Sequence, residues 1–205
     1  MSNTAVSQFA ASAGSNEKGV AVRKLISSVH TSLDGYIEGR GGSLDWLTAD
    51  MDEAAVADDA ELLRSVDTIL LGRVTYDGFS QFWPSQTGDF ADLMNHPSKI
   101  VFSRSGEAGP LAWDDFDNAE LVVGDPMATV QDLKAAEGDD MVLLASAGLV
   151  QSFSALGLID EYRIYVYPVV LGAGKPLFAG ESFGLERVDM RSYPKGSVLL
   201  TYRPS

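Results

Sequence analysis

The chain has 205 residues, 45% of them hydrophobic, no cysteine and a formal net charge of −14. That length supports one substantial core, and the missing thiols exclude disulfides, thiolate metal centres and a catalytic cysteine. The negative field repels nucleic acid and anionic membranes, yet leaves room for a small anion gripped by local arginines.

Residues 1–22, MSNTAVSQFAASAGSNEKGVAV, are small and polar and lack the apolar core of a signal peptide. They are expected to form a flexible, non-catalytic tail before a single domain over 23–205. No run approaches the roughly 20 apolar residues that span a bilayer, so a soluble, cytoplasmic protein is expected. The domain opens on a short β-rich run at 24–30, followed by apolar residues at helical spacing over 52–65 and a buried strand at 67–71. A helix follows from Val74 and is stopped by Pro84; strands are predicted at 99–103 and 120–123, and a helix over 127–137 ends at Gly138. A strand at 141–145 then feeds a helix over 146–157. This alternation predicts a mostly parallel sheet covered on both faces. The C-terminal third changes pattern. Residues 160–172 read as a long edge strand, and 183–193 and 196–203 as two strands joined at Pro194-Lys195-Gly196 that pair antiparallel at one edge.

Three strand ends carry residues suited to a nucleotide. Gly72-Arg73, with Thr75 just beyond, combines close backbone approach, a fresh helix N-terminus and a hydroxyl. Ser103-Arg104 closes KIVFSR at a strand C-terminus, where open α/β sheets bind ligands and a guanidinium can grip a phosphate. Ala145-Ser146-Ala147-Gly148-Leu149 opens a helix with small residues on which a pyrophosphate can rest. Each has an ordinary alternative as a turn with an exposed arginine or a plain helix start. The run LGAGK at 171–175 lacks P-loop and dinucleotide-fold spacing and reads as a loop. His30 and His96 are isolated, so no metal site is expected. Asp50, Asp52, Glu53, Asp58 and Asp59 read as a solvated helix face, with a carboxylate in a substrate pocket as the alternative.

Taken in order, KLISSVHTSLDGYIEG, DTILLGRVTYDGF, KIVFSR, LLASAGLVQSF, LIDEYRIYVYPVVLGAGKPLF and GSVLLTYRP resemble the reductase domain of bifunctional riboflavin-biosynthesis proteins, a family that shares the dihydrofolate reductase fold. The resemblance runs from Arg23 to Pro204 and implies an α/β domain with a mostly parallel sheet of about eight strands, an antiparallel C-terminal edge and flanking helices. It also implies NADPH as cofactor. Gly72, Arg73 and Thr75 then face the cofactor phosphates, Ser103 and Arg104 the adenosine ribose and its 2′-phosphate, and Ala145, Ser146, Ala147, Gly148 and Leu149 form the pyrophosphate turn. Many relatives carry glycine where Ala145 stands, and a Cβ there can crowd the backbone or oppose a positive φ. By the same resemblance Asp34, in S-L-D-G, lies by the nicotinamide as a catalytic residue that orients substrate or relays a proton; Asp-Gly is also a common turn. Trp46 is expected as an aromatic wall of the substrate pocket or as core. Relatives are commonly homodimers, so a second copy is expected to cover the 161–171 strand or its face. The activity implied is an NADPH-dependent reductase of a small heterocyclic or carbonyl-type substrate; the alternative is a non-catalytic nucleotide-binding protein that retains the fold. No zinc-ligand motif of a deaminase portion occurs in this chain, which argues against riboflavin synthesis as such.

Overall fold

The computed structural model describes residues 22–48, 51–105, 109–180 and 182–205. The expected N-terminal tail, apart from the exposed Val22, lies outside the described residues. The chain order is β1 (Leu25–Ser32), β2 (Tyr36–Glu38), α1 (Asp45–Thr48), α2 (Glu53–Arg64), β3 (Val66–Gly72), α3 (Arg73–Phe82), α4 (Asp89–Asn95), β4 (Ser98–Ser103), β5 (Ala119–Val123), α5 (Pro126–Ala135), β6 (Asp140–Leu144), α6 (Ala147–Ala155), β7 (Glu161–Tyr167), β8 (Lys175–Pro176), β9 (Leu185–Ser192) and β10 (Val198–Pro204). The main sheet has eight strands in the order β5-β4-β3-β6-β1-β7-β10-β9. Every pair is parallel except β10 with β7 and β10 with β9. The short β2 and β8 pair separately.

The central strands form because their sequences suit burial on both faces. Ile69, Leu70 and Leu71 of β3 and Met141, Val142 and Leu143 of β6 are fully buried, as continuous branched runs in a parallel sheet should be. One face packs Leu70, Phe102 and Leu143 against Val130 of α5 and Val150 and Phe153 of α6. The other packs Ile69, Leu71 and Val101 against Leu62 and Leu63 of α2, Tyr76 of α3 and Met94 of α4. Asp52 caps α2 by accepting from the Ala54 N–H, and Asp125 caps α5 by accepting from Met127, with Pro126 at the first helical position. Pro84 follows α3 and cannot continue it.

Two expectations change. The strand expected over 160–172 ends at Tyr167, before Pro168, and it is not an edge: β7 lies between β1 and β10, and β5 and β9 form the edges. On the β7 side of the sheet the open edge is β9, whose Arg187, Asp189 and Arg191 place charge along it. The acidic run is solvated only in part: Glu53 is exposed and Asp50 lies outside the described residues, but Asp52 and Asp58 are 5% exposed and Asp59 9%, and Ala55, Asp58, Asp59, Leu62 and Leu63 form the stripe of α2 that faces the sheet.

Candidate functional site

At the C-terminal ends of β3 and β6 the two strand-to-helix turns are tied together. The Gly72 N–H donates to Ser146 Oγ at 3.0 Å, and Ser146 Oγ donates to Thr75 Oγ1 at 2.9 Å. A Cβ on Gly72 would stand 3.3 Å from Ser146 Oγ and 3.7 Å from Leu149 Cδ1, so glycine is what lets the turns approach. Gly72, Thr75, Ser146 and Leu149 thus meet in one place, and the first amides of α3 and α6, which have no intrahelical acceptors, begin beside them.

The β6–α6 turn adopts the conformation that the missing glycine would favour. Ala145 has φ 49° and Ser146 φ 52°, both left-handed. The turn is held by the Ala145 N–H on Ser28 O at 3.2 Å and by Leu149 and Val150 N–H groups on Ser146 O at 2.8 and 3.1 Å. A left-handed residue with a Cβ costs about 1–2 kcal/mol, and a glycine's extra chain entropy returns about 0.5–1 kcal/mol of any gain. Ala145→Gly is therefore expected to stabilise the protein by about 0.5–1 kcal/mol, raising the thermal midpoint by about 1–4 °C. Differential scanning calorimetry checks this, and a lower midpoint would contradict it.

The arginines at the crevice differ. Arg73 donates from Nε to Asp77 Oδ1 at 2.7 Å, its own i+4 neighbour, and from Nη1 to Gly109 O at 2.7 Å. Its guanidinium is committed to α3 and to the segment between β4 and β5. Ser103 donates to Ser105 O at 2.9 Å and accepts from the Ser105 N–H at 3.3 Å, closing the turn after β4. Arg104 is exposed and bonds to no described residue. Because Phe102 pairs with Gly72, this turn lies one strand from the Gly72–Ser146 junction, a spacing of about 4.8 Å.

Asp34 sits in the turn after β1. It accepts from Ser32 Oγ at 2.7 Å and from the backbone N–H groups of Leu171 and Gly172 at 3.1 and 2.8 Å. The Ser32 hydroxyl, with the two backbone donors and against some opposing burial, holds its carboxyl below the usual range. Both oxygens strap the 169–177 loop to the β1 turn, a geometry that suits an ionised acceptor. Trp46 packs edge-on to Tyr167 at 5.6 Å, and its Nε1 is buried without a hydrogen-bond partner among the described residues.

The sequence reading missed the group beside Trp46. His30, on the face of β1 that α2 covers, places Nε2 3.2 Å from Asp59 Oδ2 and Nδ1 3.1 Å from Tyr167 Oη, and stacks on Tyr165 at 4.7 Å. Burial first, then the Asp59 and Asp52 charges, push Tyr167 up to about 12. Tyr165 and Tyr193 are also raised, in each case chiefly by burial. The readable signal was helical spacing, which sets Asp58 and Asp59 among Ala55, Leu62 and Leu63.

A separate open cleft of about 530 Å³, lined by Leu63, Val66, Leu93 and Pro97, lies at the N-terminal ends of β3 and β4, opposite the end where open sheets bind ligands. Among the described residues no group of three or more His, Asp or Glu could hold a metal, and no helix is long and apolar enough to cross a membrane.

A family model described as the RibD C-terminal domain matches residues 23–199. The Bacillus subtilis (strain 168) protein YyaP is 34% identical over 188 residues, 88% of this chain and 94% of that protein. The riboflavin biosynthesis protein RibD of Corynebacterium ammoniagenes is 26% identical over 152 residues, which are 72% of this chain and 44% of RibD. A solved structure from Shewanella sp. PV-4, named for riboflavin biosynthesis, superposes with a TM-score of 0.71 at 28% identity, covering 89% of this chain and 99% of that one. Dihydrofolate reductase from Enterococcus faecalis, complexed with NADP(H), superposes at 0.61 with 11% identity, covering 89% and 96%. The sheet described above is a dihydrofolate reductase-like fold of reductase type.

Proposed function

Because the chain belongs to the RibD C-terminal domain family over residues 23–199, we propose that it is an NADPH-dependent reductase that delivers hydride to a small heterocyclic or carbonyl-type substrate. The observation that carries the reading is the Gly72–Ser146–Thr75 junction at the C-terminal ends of β3 and β6. It brings two helix N-termini, a hydroxyl pair and a glycine to one crevice, which is the chemistry that a pyrophosphate needs. The fold neighbour complexed with NADP(H) supports the choice of cofactor. When bound, the nicotinamide supplies the hydride; the residues of the chain bind, orient and exclude water. In this reading the α6 turn from Ala145 to Leu149 receives the pyrophosphate, Arg104 the 2′-phosphate, and Asp34 positions the 169–177 loop through Leu171 and Gly172.

Arg104 provides the test. A charge-assisted hydrogen bond is worth about 1.5–3 kcal/mol, so Arg104→Ala is expected to weaken NADPH binding by about tenfold to a hundredfold. NADH has no 2′-phosphate, and its affinity should hardly change. Calorimetric titration of both cofactors into wild type and variant decides it: unchanged NADPH affinity, or equal losses for both, would overturn the placement. The rival reading is a nucleotide-binding protein that retains the fold without turnover. That rival predicts cofactor binding without oxidation by any substrate.

A further inference from the structure

Beneath α2 a line of ionisable side chains runs from Arg191, exposed on β9, through buried and half-buried groups to the C-terminal end of β7, and none of the residues assigned to the cofactor belongs to it. Arg191, on β9, and Tyr193 just beyond that strand both bond the Asp58 carboxylate. The Tyr193 ring stacks on Tyr165 at 6.1 Å, and Tyr165 stacks on His30. His30 then joins Asp59 through Nε2 and Tyr167 through Nδ1. With a neutral imidazole one proton arrangement satisfies both contacts: the Asp59 carboxylate accepts from Nε2–H, and Nδ1 accepts from the Tyr167 hydroxyl.

The line ends where the reductase reading needs a proton. Tyr167 is the last residue of β7 and pairs with Ser32, the last of β1; β1 lies next to β6. Tyr167 therefore stands about 10 Å, two strand spacings, across the sheet from the β6–α6 turn. A nicotinamide whose pyrophosphate rested on that turn would have Tyr167 within its span. Beside it the buried Trp46 Nε1–H has no acceptor among the described residues, and a buried donor without a partner marks a place for a ligand's acceptor atom.

Resting on the reductase reading, we propose that Tyr167 is the proton donor of the reduction and that His30 and Asp59 are its positioning residues. As hydride adds to the carbon of a C=O or C=N bond, the π electrons pass to the heteroatom, which takes the hydroxyl proton of Tyr167. His30, its Nε2–H held by Asp59, positions the hydroxyl through Nδ1 until substrate arrives, and the phenolate left by the transfer is reprotonated from water. Hydride and proton together complete the reduction. Burial and the neighbouring carboxylates keep the phenol protonated at neutral pH, while it remains a stronger acid than the alcohol or amine that the reduction forms.

The test follows hydride transfer from bound NADPH by stopped flow against a panel of pterins, flavin precursors and carbonyl compounds, in wild type, Tyr167→Phe and His30→Gln. Nitrogen NMR of the imidazoles accompanies it, with His30→Gln identifying the His30 signals. Tyr167→Phe should keep its calorimetric NADPH affinity, slow hydride transfer by about 10²–10⁴-fold and remove the solvent deuterium isotope effect on that step. His30→Gln should slow the same step by about tenfold or more. In the protein alone, His30 should carry its proton on Nε2, and the Nδ1 signal should move in Tyr167→Phe. Wild-type rates in Tyr167→Phe would remove the proton donor and leave the reductase standing. A proton on Nδ1 with Nε2 bare would remove the positioning role. A wild type that binds NADPH and reduces nothing in the panel would overturn the reductase and this role together.

Discussion

Lys99→Met is expected to raise the unfolding free energy at pH 7 by about 1–3 kcal/mol, as replacing a buried charge by an apolar chain of similar length often does. Lys99 is fully buried on β4. Its Nζ donates to the Asn95 and Pro97 carbonyls and lies 4.5 Å from the centre of the Trp113 ring, with no carboxylate partner among the described residues. Burial pulls its pKa down from 10.5 to about 7. Between those values the unfolded chain holds a proton that the folded chain has released, so stability should rise with pH across that window. Below pH 7 the cost of burying the ammonium is present in full. The carbonyls and the indole face favour the charged form, so the cost stays below the roughly 5 kcal/mol that the whole shift would represent. Methionine leaves no acceptor orphaned, because Asn118 Nδ2 also donates to Asn95 O at 2.8 Å and Pro97 O at 3.0 Å. Urea unfolding of both proteins at pH 6.5 and 9.5 reads the difference. The gain on raising the pH should belong to wild type and shrink in Lys99→Met. A variant less stable than wild type at both pH values would show that the ammonium's contacts outweigh its burial.

Gly174→Ala should be the most damaging single methyl group near the site. Gly174 has φ 153°, and a Cβ there would collide with the Glu38 carbonyl oxygen and stand 2.9 Å from Glu38 C and 3.1 Å from Gly39 Cα. These are backbone atoms of β2 and its end, so no side chain can swing aside. Either β2 moves or the 169–177 loop detaches, with its ties from Leu171 and Gly172 to Asp34 and from the Leu177 N–H to Gly35 O at 2.9 Å. The expected cost is about 2–4 kcal/mol, against about 1 kcal/mol for Gly157→Ala, where φ is also positive but no atom lies within 4 Å. Hydrogen exchange should show the Leu171 and Gly172 amides losing protection in Gly174→Ala. A variant within 0.5 kcal/mol of wild type, with those amides still protected, would contradict the strap.

The parts of the fold that were legible carry their information locally. Ile69-Leu70-Leu71 followed by Gly72, and a helix closed by Pro84, place β3 and α3 almost to the residue. β2 and β8, three and two residues long, are too short to show a period, and α4 spans two turns. β7 looked longer because Val169, Val170 and Leu171 continue its apolar run past Pro168, and it looked like an edge because only β10, returning from the chain's end, covers it. Arg73 promised a free charge, although Asp77 stands at the i+4 spacing at which helix pairs form. The His30–Asp59–Tyr167 group joins three elements, and no short window of sequence contains it. Ala145 was the informative departure: the structure gives it the positive φ that makes glycine the easier residue there.

The central claim, that this family member reduces a substrate with NADPH, is tested most directly by stopped-flow oxidation of protein-bound NADPH across the panel of pterins, flavin precursors and carbonyl compounds. The account predicts that at least one compound oxidises the bound cofactor in a single exponential with one hydride transferred per chain. Tight NADPH binding with no oxidation by any member would contradict it, leaving a nucleotide-binding protein on a reductase fold.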